Sequence, residues 1–122
     1  SGQIGIEVAV PQINFNKGKS KNKLQVRKDL VIWEKPFMTC FNKDKKTENY
    51  PIGILEWKFK GFREKQKDIG KEFEKNISWL KEFTRDRNIL GYAIMVDCSR
   101  GIHRIKARRI LRGVEEKLEN IN

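Results

Sequence analysis

Apolar residues come in short runs through the first half of this chain and at helical spacing after it. Ile4 to Val10 (IGIEVAV) reads as a strand carrying Glu7 inside it and ended by Pro11. Leu24 to Phe41 reads as an extended region. Leu30-Val31-Ile32-Trp33 is its most strand-like part, and Pro36 kinks it. Pro51 to Lys60 (PIGILEWKFK) predicts a third strand. Between these runs lie a basic turn, Asn16 to Lys23, and a polar loop, Asn42 to Tyr50. After Gly61 the period changes. Ile69, Phe73, Ile77, Leu80 and Phe83 recur three and four apart, which predicts an amphipathic helix from about Lys65 to Thr84. Trp33, Trp57 and Trp79 read as core or partly buried aromatics rather than base-stacking platforms; Trp79 falls off that stripe, and packing on a segment or partner from elsewhere is its alternative. Asn88 breaks the helix, and Leu90 to Val96 reads as a buried strand. Ser99-Arg100-Gly101 reads as a turn. A second helix is expected from about Ile102 to Glu119, with Ile110, Val114 and Leu118 on its apolar side. The order β-β-β-α-β-α predicts an α/β fold with a mixed central β-sheet flanked by helices. The long connection from the Pro51 strand to the Leu90 strand suits a parallel crossover.

The chain has 122 residues, enough for one domain with a core that needs no disulfide. No apolar run approaches a membrane span, and no basic-then-apolar leader pattern is seen. Cys40 and Cys98 form no CxxC and have His103 as the sole histidine, which disfavours a zinc site and fits a reducing, intracellular (cytoplasmic) setting. The net charge of +11 changes the picture most. It favours a polyanion as partner, through steering and counterion release.

Charge inside the apolar strands is the candidate chemistry. Strand alternation puts Glu56 and Lys58 on one side, and Leu55, Trp57 and Phe59 on the other, expected to face apolar packing. Charges within a sheet are costly unless paired or metal-bound. Asp29 opens the run Asp29 to Trp33. If that run neighbours the Pro51 strand, Asp29 and Glu56 come close, and a divalent cation would relieve their repulsion. Hard cations such as Mg²⁺ take oxygen ligands and activate water against a phosphodiester. A lysine beside them stabilises the developing charge or helps deprotonate the water. Two further carboxylate-x-Lys tripeptides, Asp44-Lys45-Lys46 and Glu115-Glu116-Lys117, read as solvated charge in a loop and on a helix. A cross-strand ion pair is the plain alternative for Glu56 and Lys58.

Lys28-Asp29-Leu30-Val31-Ile32-Trp33 followed by Pro51-Ile52-Gly53-Ile54-Leu55-Glu56-Trp57-Lys58 resembles the PD-(D/E)xK nuclease superfamily, over roughly Ile4 to Asp97. The resemblance implies a restriction-endonuclease-like core, with Asp29, Glu56 and the backbone carbonyl of Trp57 as ligands to Mg²⁺ or Mn²⁺ and Lys58 as the catalytic lysine. Lys28 stands where the motif's name has proline. The superfamily core usually opens with a helix that often brings a further acid, and here the chain enters a strand almost at once. The expectation is therefore a single nuclease-like domain lacking that first helix, as a fragment of a larger protein or with the helix supplied from elsewhere. Glu7 is the stand-in for the extra acid.

The remaining basic residues are candidates for nucleic-acid contact. Arg100 lies at the entry to the expected second helix, and Arg104 and Arg108 lie on it with His103, Lys106, Arg109 and Arg112. Cations there would oppose the helix dipole, which leaves a phosphate-binding or a solvated face. Lys60, Arg63 and Gln66 follow the Glu56 strand, and Lys17, Lys19, Lys21 and Lys23 crowd the early turn. His103 reads as a surface residue. The sequence therefore predicts a metal-dependent nuclease acting on DNA, less readily RNA, not on a membrane, and working as a homodimer or inside a larger parent protein. The alternatives are a basic nucleic-acid-binding module of the same fold that does not cut, and an interaction domain of a larger enzyme.

Overall fold

The computed structural model describes residues 3–13, 25–36, 38–62 and 68–118. The basic turn at 16–23, Arg63, Gln66 and the expected helix start at 65–67 lie outside them. Six strands form one mixed sheet in sequential order: β1 (Ile4–Pro11), β2 (Gln25–Ile32), β3 (Gly53–Lys60), β4 (Leu90–Asp97), β5 (Arg104–Leu111) and β6 (Val114–Lys117). All neighbours are antiparallel except β3 and β4, which run parallel through the crossover helix α1 (Ile69–Thr84). The mixed sheet and the parallel crossover match the reading of the sequence. Among the described residues, α1 is the one helix, and it covers one face of the sheet.

Local chemistry explains α1. Asp68 caps its N-terminus by accepting from the Lys71 N–H at 3.1 Å, and Glu72 lies in the first turn, where negative charge suits the dipole. Ile69, Phe73, Ile77, Leu80 and Phe83 are buried against the sheet. Gly91 and Ala93 on β4 let the helix approach closely. A Cβ at Gly91 would meet Leu80 Cδ2 at 3.1 Å. Trp79 is also buried, stacked on Phe83 with ring centroids 4.5 Å apart. Its indole N–H donates to Gln12 Oε1 at 2.9 Å, so it packs within the chain rather than on a segment from elsewhere.

Two expectations are corrected. Over residues 104–117, the second helix expected at 102–119 is instead the β5–β6 hairpin. Its two-residue loop, Arg112-Gly113, has φ of 50° and 80°, the geometry that tight hairpins favour. Along β5, Arg108 and Ile110 turn inward with Arg109 and Leu111 outward, a period of two that masks itself as helical because Ile110, Val114 and Leu118 are four apart. Val114 is exposed, so the expected apolar stripe does not exist. The second correction concerns β3. Ile54, Glu56 and Lys58 face α1, whereas Trp57 (45 % exposed) and Phe59 (54 % exposed) stand on the open face. That face also carries Ile32, Ile105, Leu111 and Val114, all exposed.

Candidate active site

The centre of interest is where β2 and β3 part. They pair only at Leu30↔Leu55, Val31↔Ile54 and Ile32↔Gly53. The ladder stops one step short of Asp29 and Glu56, and side chains take over from backbone there. Asp29 Oδ2 accepts from the Trp57 N–H at 2.9 Å, and Glu56 Oε1 accepts from the Asp29 N–H at 3.1 Å. Each carboxylate thus satisfies a backbone donor exposed by the parting strands.

An irregularity in β1 and β2 helps produce this arrangement. Lys28 and Val31 are both buried although three residues apart, so the alternation of β2 slips between them. The same level of β1 holds Glu7, at φ 55°, between the pairs Ile6↔Leu30 and Val8↔Lys28. The Arg27 guanidinium donates to the Glu7 carbonyl at 2.7 Å and holds this kink. Such local breaks re-aim side chains next to functional sites.

Beyond the break lies a cleft of about 520 Å³ lined by Gln25, Val26, Arg27, Lys28, Glu56, Lys58 and Asn76. Glu56 is 5 % exposed and Lys28 is 8 % exposed. Their charged atoms stand 3.9 Å apart, at the outer limit of an ion pair, and the Lys28 ammonium lies 3.8 Å above the Trp79 ring. Burial dominates both titrations. It raises the Glu56 carboxyl above its ordinary value, against the pull of Lys28 and with the push of Asp29. It lowers the Lys28 ammonium, against the pull of Glu56 and Asp29. Lys58 is half-buried in the same cleft and forms no ion pair among the described residues.

The sequence-predicted set divides. Asp29, Glu56 and Lys58 come together. Trp57 contributes backbone, since in a strand the N–H and C=O of one residue face the same neighbour, and its N–H points toward β2. Glu7 is exposed at the level opposite Asp29. Among the described residues no group of three or more His, Cys, Asp or Glu side chains is placed to hold a metal. The donors that could hold one are therefore the second oxygens of Asp29 and Glu56 and the Trp57 carbonyl. These are hard oxygen donors, few in number, and they fit a cation that keeps most of its waters.

The outer basic residues do not join this group. Lys60 ends β3, its carbonyl accepting from Cys98 N–H at 2.8 Å. Arg100 and Arg104 are exposed near the start of β5. Arg108 is 6 % exposed and bonded to Glu115 at 2.9 Å, so it serves the fold rather than offering an open phosphate contact. His103 is exposed in the turn before β5, and Cys40 is buried, its thiol pushed up to about 11. No helix of the described chain is long and apolar enough to cross a membrane.

Sequence reasoning named Glu56 and Lys58 and missed the other cleft residues, Lys28 and Asn76 among them. Asn76 was visible as a polar residue inside the apolar stripe, three after Phe73 and four before Leu80. Lys28 gave no signal of its own, because the slip in β2 alternation carries it inward. Compared with family models, curated proteins and solved structures, the chain matches none of them.

Proposed function

We propose that this chain is a metal-dependent phosphodiester hydrolase of the PD-(D/E)xK kind, acting on DNA. One observation carries the reading: Asp29 and Glu56 are joined through backbone N–H groups where two strands part, and Lys58, which forms no ion pair among the described residues, lines the cleft beside Glu56. A structural ion pair would close Lys58 onto a carboxylate, and this one stays apart. A bound Mg²⁺ or Mn²⁺ would supply a Lewis acid and an activated water. The chain's own part is positional. The Trp57 N–H fixes one oxygen of Asp29 and the Asp29 N–H fixes one oxygen of Glu56, which leaves the second oxygen of each for a ligand. Lys58 places a positive charge where the phosphorane gains negative charge. The net charge of +11 draws the polyanion to the cleft.

The test is cleavage of plasmid and single-stranded DNA with Mn²⁺ or Mg²⁺, comparing the wild type with Glu56→Ala, each checked for folding by circular dichroism. Cutting that needs the metal and disappears in Glu56→Ala supports the reading. A folded wild type that binds DNA in a salt-sensitive way but never cuts it leaves the non-catalytic binding module instead.

A further inference from the structure

On the face of the sheet that α1 covers, strand register sets basic residues in two columns. Lys58 is level with Met95 and Met95 with Lys106, while Lys60 is level with Asp97 and Asp97 with Arg104. Cross-strand partners share a face, and Lys58 and Lys60 follow Glu56 by steps of two, so these side chains stand on the side of Glu56. Arg104 and Lys106 are exposed, and Lys58 and Lys60 are half-buried. None of these four cations forms an ion pair among the described residues. The β3 column, Lys58 and Lys60, runs on from the cleft, where Arg27 and Lys28 add to its charge. The β5 column, Lys106 and Arg104, lies outside the cleft and two strand spacings away, or ~10 Å.

What lies between the columns keeps them apart. Asp97 accepts from the Ser99 hydroxyl at 2.6 Å and the Ser99 N–H at 2.9 Å. These bonds, then the charges of Lys60 and Arg104, hold its carboxyl below the ordinary value, so an anion stands in the gap and repels a phosphate placed midway. Helix α1 fills the gap one step earlier. Its Leu80 packs at Gly91, and its Phe73 ring lies by Arg108, which is level with Ala93. Continued toward its start, the helix carries its first turn over Met95, which is buried. One anionic strand across the middle is therefore blocked, whereas two strands, one along each column, are not. The two backbones of a duplex flank a major groove ~12 Å wide, which admits a helix. We infer that Lys58 with Lys60, and Lys106 with Arg104, are two rails that seat the two backbones of duplex DNA astride the start of α1, the strand on the β3 rail leading to Glu56. The inference rests on the phosphodiester reading above for the fate of that strand, and it adds the form of the substrate.

The test measures binding of one fluorescent oligonucleotide, as duplex and as single strand, in EDTA over a series of salt concentrations. The slope of log Kd against log salt counts the phosphates engaged. The proteins are wild type, Lys60→Met on the β3 rail, Lys106→Met and Arg104→Met on the β5 rail and, as a control, Lys46→Met in the exposed 42–50 loop, each checked for folding by circular dichroism. For the duplex, every rail variant is expected to lower the slope by about 1 and the affinity by about 5-fold. A lone strand takes the rail that runs on into the cleft. For it, Lys60→Met is expected to lose as much, and the two β5 variants less than about 2-fold. Lys46→Met is expected to change either ligand by less than about 2-fold. Duplex binding in the β5 variants that matches wild type, or losses no larger than in Lys46→Met, overturns the rails. Equal losses for duplex and single strand in the β5 variants also overturn them, because they mark a path for one strand. Duplex-selective losses with no metal-dependent cleavage by the wild type keep the rails and remove the hydrolase. Cleavage without those losses removes the rails and leaves the hydrolase standing.

Discussion

Helix α1 has a charged cluster on each flank, and the two are built to different ends. On the β5–β6 side, Glu115 receives Lys81 at 2.9 Å and Arg108 at 2.9 Å, and Arg108 also lies over the Phe73 ring. Hydrogen bonds from Lys81, then charge from Lys81 and Arg108, hold the Glu115 carboxyl below its ordinary value despite some burial. On the β2–β3 side, Glu56 and Lys28 stand 3.9 Å apart, and both are pushed toward their neutral forms. The residue types are alike, but the first cluster closes its ion pairs at hydrogen-bond distance and the second holds its ammonium and carboxylate beyond it. Buried charge that is fully bonded stabilises a fold, whereas buried charge left open costs stability and is retained where it meets a ligand.

The largest expected difference lies in activity. Replacing Asp29 or Glu56 by Ala should lower metal-dependent cleavage by at least about 100-fold, and Lys58→Met by a similar factor, in a single-turnover assay. Glu115→Gln should leave the rate of cleavage within about 2-fold. If instead both clusters affect cleavage equally, the division between them fails.

Stability should respond in the opposite way. Glu115→Gln leaves Arg108 buried without its carboxylate, and denaturant titration should show a loss of about 2 kcal/mol, the partial exposure of Glu115 keeping it below the value for a fully buried pair. Gly113→Ala places a side chain at φ 80° in the hairpin that carries Glu115, and should cost about 1 kcal/mol by the same measurement.

The pH dependence sharpens the contrast, because the two carboxyls have opposite signs. Glu115 is depressed in the folded state, so its contribution is present above the ordinary value of 4.5 and is lost as pH falls through the lower folded value. Glu56 is raised, so its contribution is present below 4.5 and is lost as pH rises toward its higher folded value. The stability gap between wild type and Glu115→Gln should therefore close on acidification below about 4.5. A gap independent of pH would show that Glu115 acts through packing alone. The smallest effect should come from Lys81→Met, about 0.5 kcal/mol, since that ammonium is 42 % exposed and its pairing is screened by solvent.

The sequence by itself determined the first five elements and picked out the acids of the candidate site. Period-two runs ended by proline or polar loops marked β1 to β3, and the three-and-four spacing from Ile69 to Phe83 marked α1. Charges within apolar runs stood out at Asp29, Glu56 and Lys58 because such placement is costly without a partner. Tertiary structure alone decided the rest. The segment from 104 to 117 has residues that suit either period, and pairing with β4, together with the positive φ of Arg112 and Gly113, made it a hairpin. The face on which Trp57 and Phe59 stand could not be read from alternation, since alternation fixes which residues share a side but not which side the helix covers. Lys28 enters the cleft through a slipped strand, which leaves no mark on its neighbours in the chain, and Asn76, visible as a polar residue in the apolar stripe, lines it only because the helix packs across the sheet there.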